Sequence, residues 1–389
     1  MKKLIDIINF NADASCLSSK KWLNCLKGGI DSKFCQWLNL YVLHKKCISL
    51  GLTGATIADL CIYNHEAIDI INNNRHIFEI LLRPFAHDIA LFRTYQGFIT
   101  NITYGKKIII NTFKEYSNFF LPPEFMCTSL QIQMLSKMKI EGVFINSSRF
   151  NIKKKERIPI EPYYVRGLFA SKLKCIPIFG NLTDEYLLSL QRYSYDNWNN
   201  IFDTTNSESI YFWRDGESPF LLPDGIQRED YWLSNESNSF QRIHLKDIHI
   251  SYCKLLKENM LKTYPIHQFS SWIKEMRMLW FINRVQNIEN HLKSLTKNEL
   301  YLWLQVINSD ILSAVEKNSP VVLLKKAPNS KWFMEYLIKR SERGFEGEEY
   351  LELLENYSDI NKEQYLKDSN ESHITKLIGR MRYLKMIDS

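Results

Sequence analysis

Through roughly the first 225 residues, short apolar runs alternate with stretches of helical spacing. The runs at residues 4–10 (LIDIINF), 48–52 (ISLGL), 78–82 (FEILL), 119–121, 142–146 (GVFIN), 175–179 (CIPIF) and 210–213 read as strands. Residues 97–104, rich in isoleucine and threonine, are predicted as a further strand. Between the runs, Trp22, Leu23 and Leu26 share a helical stretch that stops at Gly28-Gly29, and residues 67–72 and 131–138 fit helices. Strands alternating with helices predict a parallel sheet or barrel. About seven strands in this length predict an α/β fold, a distorted (β/α) barrel, with a doubly wound sheet as the competing arrangement. No G-x-G-x-x-G or G-x-x-x-x-G-K-[ST] follows any strand, which removes support for dinucleotide and P-loop nucleotide sites.

Beyond about residue 240 the period changes. Trp272, Met276, Leu279, Ile282, Val285, Ile288 and Leu292 recur at near-helical spacing, and residues 298–315, 348–357 and 374–386 also read as helices. The chain is therefore expected to divide into a (β/α) barrel over residues 1–240 and an all-helical region over residues 241–389. The polar residues 358–372 are expected to form a mobile connection. The helical region is placed to cap the barrel, support it or contact a second copy of the chain, so a homo-oligomer is one expected assembly.

Composition narrows the class. Of 389 residues, 45% are hydrophobic and 24% charged, which is ordinary for a globular chain. Only 14 glycines and 11 prolines argue against collagen-like and Pro/Gly-rich disordered architectures. No run of about 18 uncharged apolar residues is present, so no membrane span is expected. Met1-Lys2-Lys3 is followed by Asp6, Asn9, Asn11 and Asp13 rather than a long apolar stretch, so no signal peptide is read. The net charge of +7 comes from 50 basic and 43 acidic residues. Its densest cluster, Lys153-Lys154-Lys155 with Arg157, reads as a solvated loop, and no nucleic-acid-binding motif accompanies it. None of the eight cysteines falls in a C-x-x-C pair, which points to buried free thiols in a reducing, cytoplasmic compartment. Aromatic residues reach 13%, enough for an aromatic core and for surfaces on which sugars stack.

Candidate chemistry gathers just after the strands. Asn11 and Asp13 follow the first, Thr53 and Thr56 the second, and His87 and Asp88 the third. Glu124, Asn146, and Asp215 with Glu217 follow later ones. In barrels and open α/β sheets those ends form the catalytic mouth. In Leu121-Pro122-Pro123-Glu124-Phe125, two prolines stiffen the backbone that carries Glu124. Asp215 and Glu217 stand two apart after a strand, so they are expected to share one space, each raising the other's proton affinity. Arg83-Pro84-Phe85-Ala86-His87-Asp88 brings a cation, an imidazole and a carboxylate together. A divalent metal such as zinc would need His87 and Asp88 joined by a remote ligand such as Asp13. No G-x-S-x-G elbow supports a serine nucleophile.

At Phe120-Leu121-Pro122-Pro123-Glu124, followed by Leu135 and Gly142-Val143-Phe144, the chain resembles the superfamily of glycoside hydrolase family 57 and the polysaccharide deacetylases. The resemblance implies a distorted seven-stranded barrel with a helical region after it. It implies Glu124 as the catalytic nucleophile and, by order along the chain, Asp215 as the general acid. The chain departs from the glycosidase pattern at the first strand, which ends Asn11-Ala12-Asp13 where the family has a His-Gln-Pro type motif. It departs from the deacetylase pattern in offering Ala12-Asp13, a single His87 and Leu121-Pro122-Pro123. Tandem aspartates, a His-x-x-x-His pair and Arg-Pro-Pro stand at those places in that family.

The expectation is a carbohydrate-active enzyme, a glycosidase or transglycosidase that needs no cofactor. Glu124 attacks and Asp215 or Glu217 supplies the proton. Asn11, Asp13, Arg83, His87 and Asp88 position the sugar, and Trp213 offers a stacking face. The alternatives are a metal-dependent, deacetylase-like hydrolase built on Asp13, His87 and Asp88, and a non-catalytic sugar-binding or assembly protein.

Overall fold

The computed structural model describes residues 2–12, 19–125, 127–146, 161–166, 172–178, 186, 190, 208–236, 240–248, 254–256, 276–308 and 368–389. Its strands are β1 (Lys2–Phe10), β2 (Ile48–Leu52), β3 (Phe78–Leu82), β4 (Ser117–Phe120), β5 (Gly142–Asn146), β6 (Tyr163–Arg166), β7 (Lys172–Ile178), β8 (Ser209–Asp215), β9 (Phe240–Arg242) and β10 (Lys254–Leu256). Among the helices, α1 (Ser19–Leu26), α2 (Lys33–Leu43), α3 (Gly54–Tyr63), α4 (His65–Asn73), α5 (Tyr95–Phe113) and α6 (Ser129–Lys137) alternate with the early strands. Later come α7 (Ser218–Leu221), α8 (Gly225–Ser234), α9 (Met276–Glu289), α10 (Lys297–Val306) and α11 (Asp368–Asp388).

The strands form one sheet in the order β10-β6-β7-β5-β4-β3-β2-β1-β8, with β9 also paired to β1. Every pair is parallel except β6–β7. The central strands are apolar on both faces, as parallel strands covered on two sides must be. Alternation sorts those faces. Ile5 and Ile7 join Leu81, Phe119, Leu121, Phe144, Ile176, Tyr211 and Trp213 in a cluster inside the curved sheet. Leu4, Ile8 and Phe10 belong to the larger core between the sheet and its helices. Glu79 floors the interior at its N-terminal end. Its carboxylate accepts from the Ser49 hydroxyl at 2.7 Å and from the backbone N–H groups of Leu245 (2.7 Å) and Lys246 (3.2 Å).

The outcome is a distorted, mostly parallel barrel-like sheet, but residues 97–104 are not one of its strands. They lie within α5, a 19-residue helix capped by Thr94. Isoleucine and threonine favour strands locally, yet packing decides otherwise. Gly97, Phe98, Asn101, Ile102, Gly105, Ile108 and Ile109 are buried at helical spacing. Gly105 is where α5 lies directly on the loop after β3. A Cβ there would fall 2.1 Å from the Arg83 carbonyl oxygen and 2.8 Å from the Phe85 nitrogen.

Among the described residues from 240 onward, three α-helices, α9, α10 and α11, accompany two strands that join the sheet. β9 pairs with β1, and β10, beyond the expected barrel boundary, pairs with β6. Of the expected connection, residues 368–372 are already in α11 and residues 358–367 lie outside the described set, as do residues 309–315 and 348–357. α11 is bolted to the barrel's outer helices by a buried ion pair. Arg380 donates through Nε (2.7 Å) and Nη2 (2.6 Å) to Asp59, which also accepts from Trp22 Nε1 at 2.8 Å. Cys25, Cys35, Cys47, Cys61, Cys127 and Cys175 are free thiols, and burial pushes Cys127 up to about 12. No described helix is long and apolar enough to cross a membrane.

Because the obstacle at Gly105 is backbone, a rotamer change cannot relieve it. Gly105→Ala is expected to destabilise the fold by about 1–3 kcal/mol or more, read as a lower denaturation midpoint. An unchanged midpoint would contradict the close approach.

Candidate active site

The strand alternation that sorts the core also sorts the rim. Asn9 continues the inward face of Ile5 and Ile7, and Asp215 continues that of Tyr211 and Trp213. The two meet, with Asn9 Nδ2 donating to Asp215 Oδ1 at 3.2 Å. Two residues past Leu81, Arg83 turns into the same space and is wholly buried. It lies over Gly51, where a Cβ would stand 3.4 Å from Arg83 Cδ and 2.4 Å from Leu121 Cδ2. Arg83 Nη1 donates to the Leu121 carbonyl at 3.3 Å, and Nη2 lies 3.4 Å from His87 Nδ1. Burial pushes the guanidinium down to about 10, and the charges of Glu217, Glu124 and Asp215 oppose that shift. One buried cation thus sits in the field of three of the carboxylates that the sequence singled out, Glu124, Asp215 and Glu217.

Glu124 is held by an unusual backbone. After Pro122-Pro123 the chain makes a 3₁₀ turn in which Glu124 (φ 54°) and Phe125 (φ 52°) are both left-handed. Residues other than glycine rarely adopt this region, and the strain persists only where the surroundings enforce it. They do so here. The Phe125 N–H bonds the Pro122 carbonyl at 3.1 Å, and the buried Phe125 ring packs on Trp213 with centroids 4.9 Å apart. The Glu124 carboxylate keeps 16% of its surface exposed, and its Oε1 lies 3.4 Å from His87 Nε2.

Asp215 is exposed at the end of β8, whereas Glu217 is buried beside it. The Gly216 N–H bonds the Asn9 carbonyl at 2.8 Å, which folds the chain so that Glu217 accepts from the Asn11 N–H. Burial, and then the Asp215 charge, push the Glu217 carboxyl well above the usual range, against the pull of that N–H and of Arg83. The site therefore offers a partly exposed carboxylate on a strained turn, an exposed partner across the sheet's mouth, and a buried carboxyl that favours its proton. Asn9 is the contributor that motif reading missed; its register on the inward face of β1 is the signal.

Other expected residues go elsewhere. The Trp213 indole is buried against Phe125 and so is not an open stacking face for a sugar; it braces the Glu124 turn. Asp88 is buried and faces Arg93 Nε at 3.2 Å rather than the rim. Arg93 in turn binds Glu289 of α9 at 2.6 Å, and Glu289 accepts the Thr94 N–H at 2.7 Å. Arg214 points away from Asp215 into a buried outer network with Asp6, Glu229, Tyr41 and Tyr186. Thr53 caps α3 and pairs with Thr56, which holds the Ala12 N–H. Asn146 ends β5, and Asp13 lies outside the described residues. His87 and Asp88 do not converge on one point, and among the described residues no group of three or more His, Cys, Asp or Glu side chains is placed to hold a metal.

A mostly parallel barrel-like sheet with a carboxylate cluster at the C-terminal ends of its strands defines the class. A family model for glycosyl hydrolase family 57 matches residues 22–232, more than half of the chain, and the chain belongs to that family. Solved structures of similar fold include the GH57-type branching enzyme of Pyrococcus horikoshii, at TM-score 0.64 and 9% identity over 99% of this chain and 96% of that one. The 4-alpha-glucanotransferase of Thermococcus litoralis gives TM-score 0.62 and 12% identity over 89% of this chain, which spans only 60% of that enzyme's length. The alpha-amylase AmyC of Thermotoga maritima gives TM-score 0.56 and 9% identity over 100% of this chain and 96% of that one. No curated protein matches the chain in sequence.

Burial, with a further push from Glu289 and against the pull of Arg93, raises Asp88 to about 7. The folded chain thus keeps a proton that the unfolded chain releases near pH 4, so this group's contribution to stability falls as pH rises between about 4 and 7. Asp88→Asn leaves Arg93 its Glu289 partner and removes that titration. Its melting temperature, followed by circular dichroism, is expected to rise relative to that of wild type as pH increases from about 4 to 7. Parallel curves for the two proteins would refute the assignment.

Proposed function

We propose that the chain is a retaining glycoside hydrolase or transglycosidase acting on a polysaccharide, with Glu124 as nucleophile and Asp215 as general acid. The observation that carries this reading is that the buried guanidinium of Arg83 lies within the electrostatic reach of Glu124, Asp215 and Glu217. Membership of glycosyl hydrolase family 57 supports the reaction class. Glu124 attacks the anomeric carbon while Asp215 gives its proton to the departing oxygen. The bond to the leaving sugar breaks and a glycosyl–enzyme ester forms. Asp215 then takes a proton from water or from a sugar hydroxyl, whose oxygen bonds to the anomeric carbon as the ester bond to Glu124 breaks, giving hydrolysis or transfer. Glu217 stays protonated beside it and limits the negative charge of the site. Asn11 holds Glu217, and Asn9 orients Asp215. The mechanism calls on no cofactor. Free thiols at Cys25, Cys35, Cys47, Cys61, Cys127 and Cys175 support a cytoplasmic setting.

Two variants separate the roles. Glu124→Gln is expected to lower kcat by at least about 10³-fold on every glycoside tested, with an unchanged circular dichroism spectrum. Asp215→Asn is expected to lose about 10²–10⁴-fold on polysaccharide. It should lose far less on dinitrophenyl glycosides, whose leaving group needs no proton. Near-normal turnover by Glu124→Gln would overturn the nucleophile, and equal loss on both substrate types would overturn the acid.

A further inference from the structure

The loop after β3 lines up three side chains that ordinary turn formation does not require. Arg83 Nη2 is 3.4 Å from His87 Nδ1, and His87 Nε2 is 3.4 Å from Glu124 Oε1. The first is a long hydrogen bond, and the second is an ion-pair contact longer than an ordinary hydrogen bond. A guanidinium has N–H donors and no acceptor. An imidazole nitrogen facing it can therefore only accept, which leaves the single ring proton of neutral histidine on the other nitrogen. We propose that Arg83 is a positioning residue that fixes His87 as its Nε2–H tautomer, so that a neutral N–H is presented toward one oxygen of Glu124. The proposal rests on Glu124 being the nucleophile. It assigns Oε1 to His87 and leaves Oε2 for attack on the sugar.

The surroundings are built for this role. Arg83 is wholly buried and anchored by the Leu121 carbonyl, at the strand end that leads into the Glu124 turn. Its loop is clamped by α5. Asn101 accepts the Ala86 N–H at 2.8 Å, donates to the Ala86 carbonyl at 3.2 Å, and gives its own carbonyl to the Phe85 N–H at 3.0 Å. The charged groups nearest the imidazole are Arg83 on its own loop and Glu124 on the turn after β4. Asp215 and Glu217 face Arg83 from the end of β8, while neighbouring Asp88 is taken up by Arg93. A second proton on His87 Nδ1 would have to displace Arg83. The pairing thus holds the imidazole neutral beside a nucleophile that must stay ionised.

The test is the long-range ¹H–¹⁵N spectrum of the full chain labelled at histidine, with His87 identified by its loss in His87→Gln. Wild type is expected to show a bare Nδ1 and a protonated Nε2, unchanged between about pH 5 and 8. In Arg83→Met the signals should move to a tautomer average and titrate in that range. The variant's kcat should fall by up to about 10²-fold, with KM little changed and an altered acidic limb of the pH profile. Arg83→Lys, which keeps a cationic donor, should recover part of both. A protonated Nδ1 in wild type, or an Arg83→Met spectrum indifferent to pH, would overturn the proposal. If Arg83→Met does not fold, the wild-type spectrum decides alone. That spectrum contains no substrate, so it fails independently of the nucleophile assignment, which Glu124→Gln tests.

Discussion

A positive charge buried inside the sheet lets three carboxylates crowd one rim. Unaccompanied, Glu124, Asp215 and Glu217 would repel one another, and burying even one as an anion would be strongly unfavourable. Arg83 lies in the field of all three. Much of the local architecture is explained by its accommodation. Gly51 leaves room beneath it, the Leu121 carbonyl takes one of its protons, and Gly105 lets α5 press the backbone of its loop into place. The charge is shared unequally. Asp215 and Glu124 remain partly open to solvent, while Glu217, buried deepest, favours its protonated form.

Three consecutive residues of β8 show how one strand serves separate purposes. Trp213 faces inward and braces the Glu124 turn through Phe125. Arg214 faces outward, where it binds Asp6 at 3.0 Å and Glu229 at 2.7 Å under the helices. Arg242 joins the same network and also contacts Asp6. With two cations beside it, Asp6 stays below the usual carboxylate range even though burial alone would raise it. Asp215 then returns to the inner face at the exposed end. The outer network ties β1, β8 and α8 together, and so fixes the register that sets Asn9 opposite Asp215.

The strands and their exits were legible because apolar runs broken by polar turns are a local property of the chain. Glu124, Asp215 and Glu217 could be nominated for the same reason. What was not legible depended on distant partners. Residues 97–104 have strand-like side chains and form a helix because Gly97 meets Glu289 and Gly105 meets the loop after β3. Asp88 reads like a site residue from its place in the chain, yet Arg93 and α9 draw it away. Trp213 reads like a sugar platform until its inward parity puts it under Phe125. Asn9 was hidden because β1 is apolar on both faces, so its alternation with Ile5 and Ile7 became informative only once the fold showed which face is inward.

The floor made by Glu79 has a consequence for traffic. The carboxylate binds the backbone at Leu245 and Lys246, and Leu245 adds its side chain to the packed interior above. Among the described residues, the interior beneath the rim is filled with packed side chains. On the proposed function, a long glycan would lie across the mouth above that packing and be cut or rejoined there. Incoming acceptor, water and departing product would all pass the same doorway, and the time the first fragment lingers there would govern whether water or another sugar arrives next.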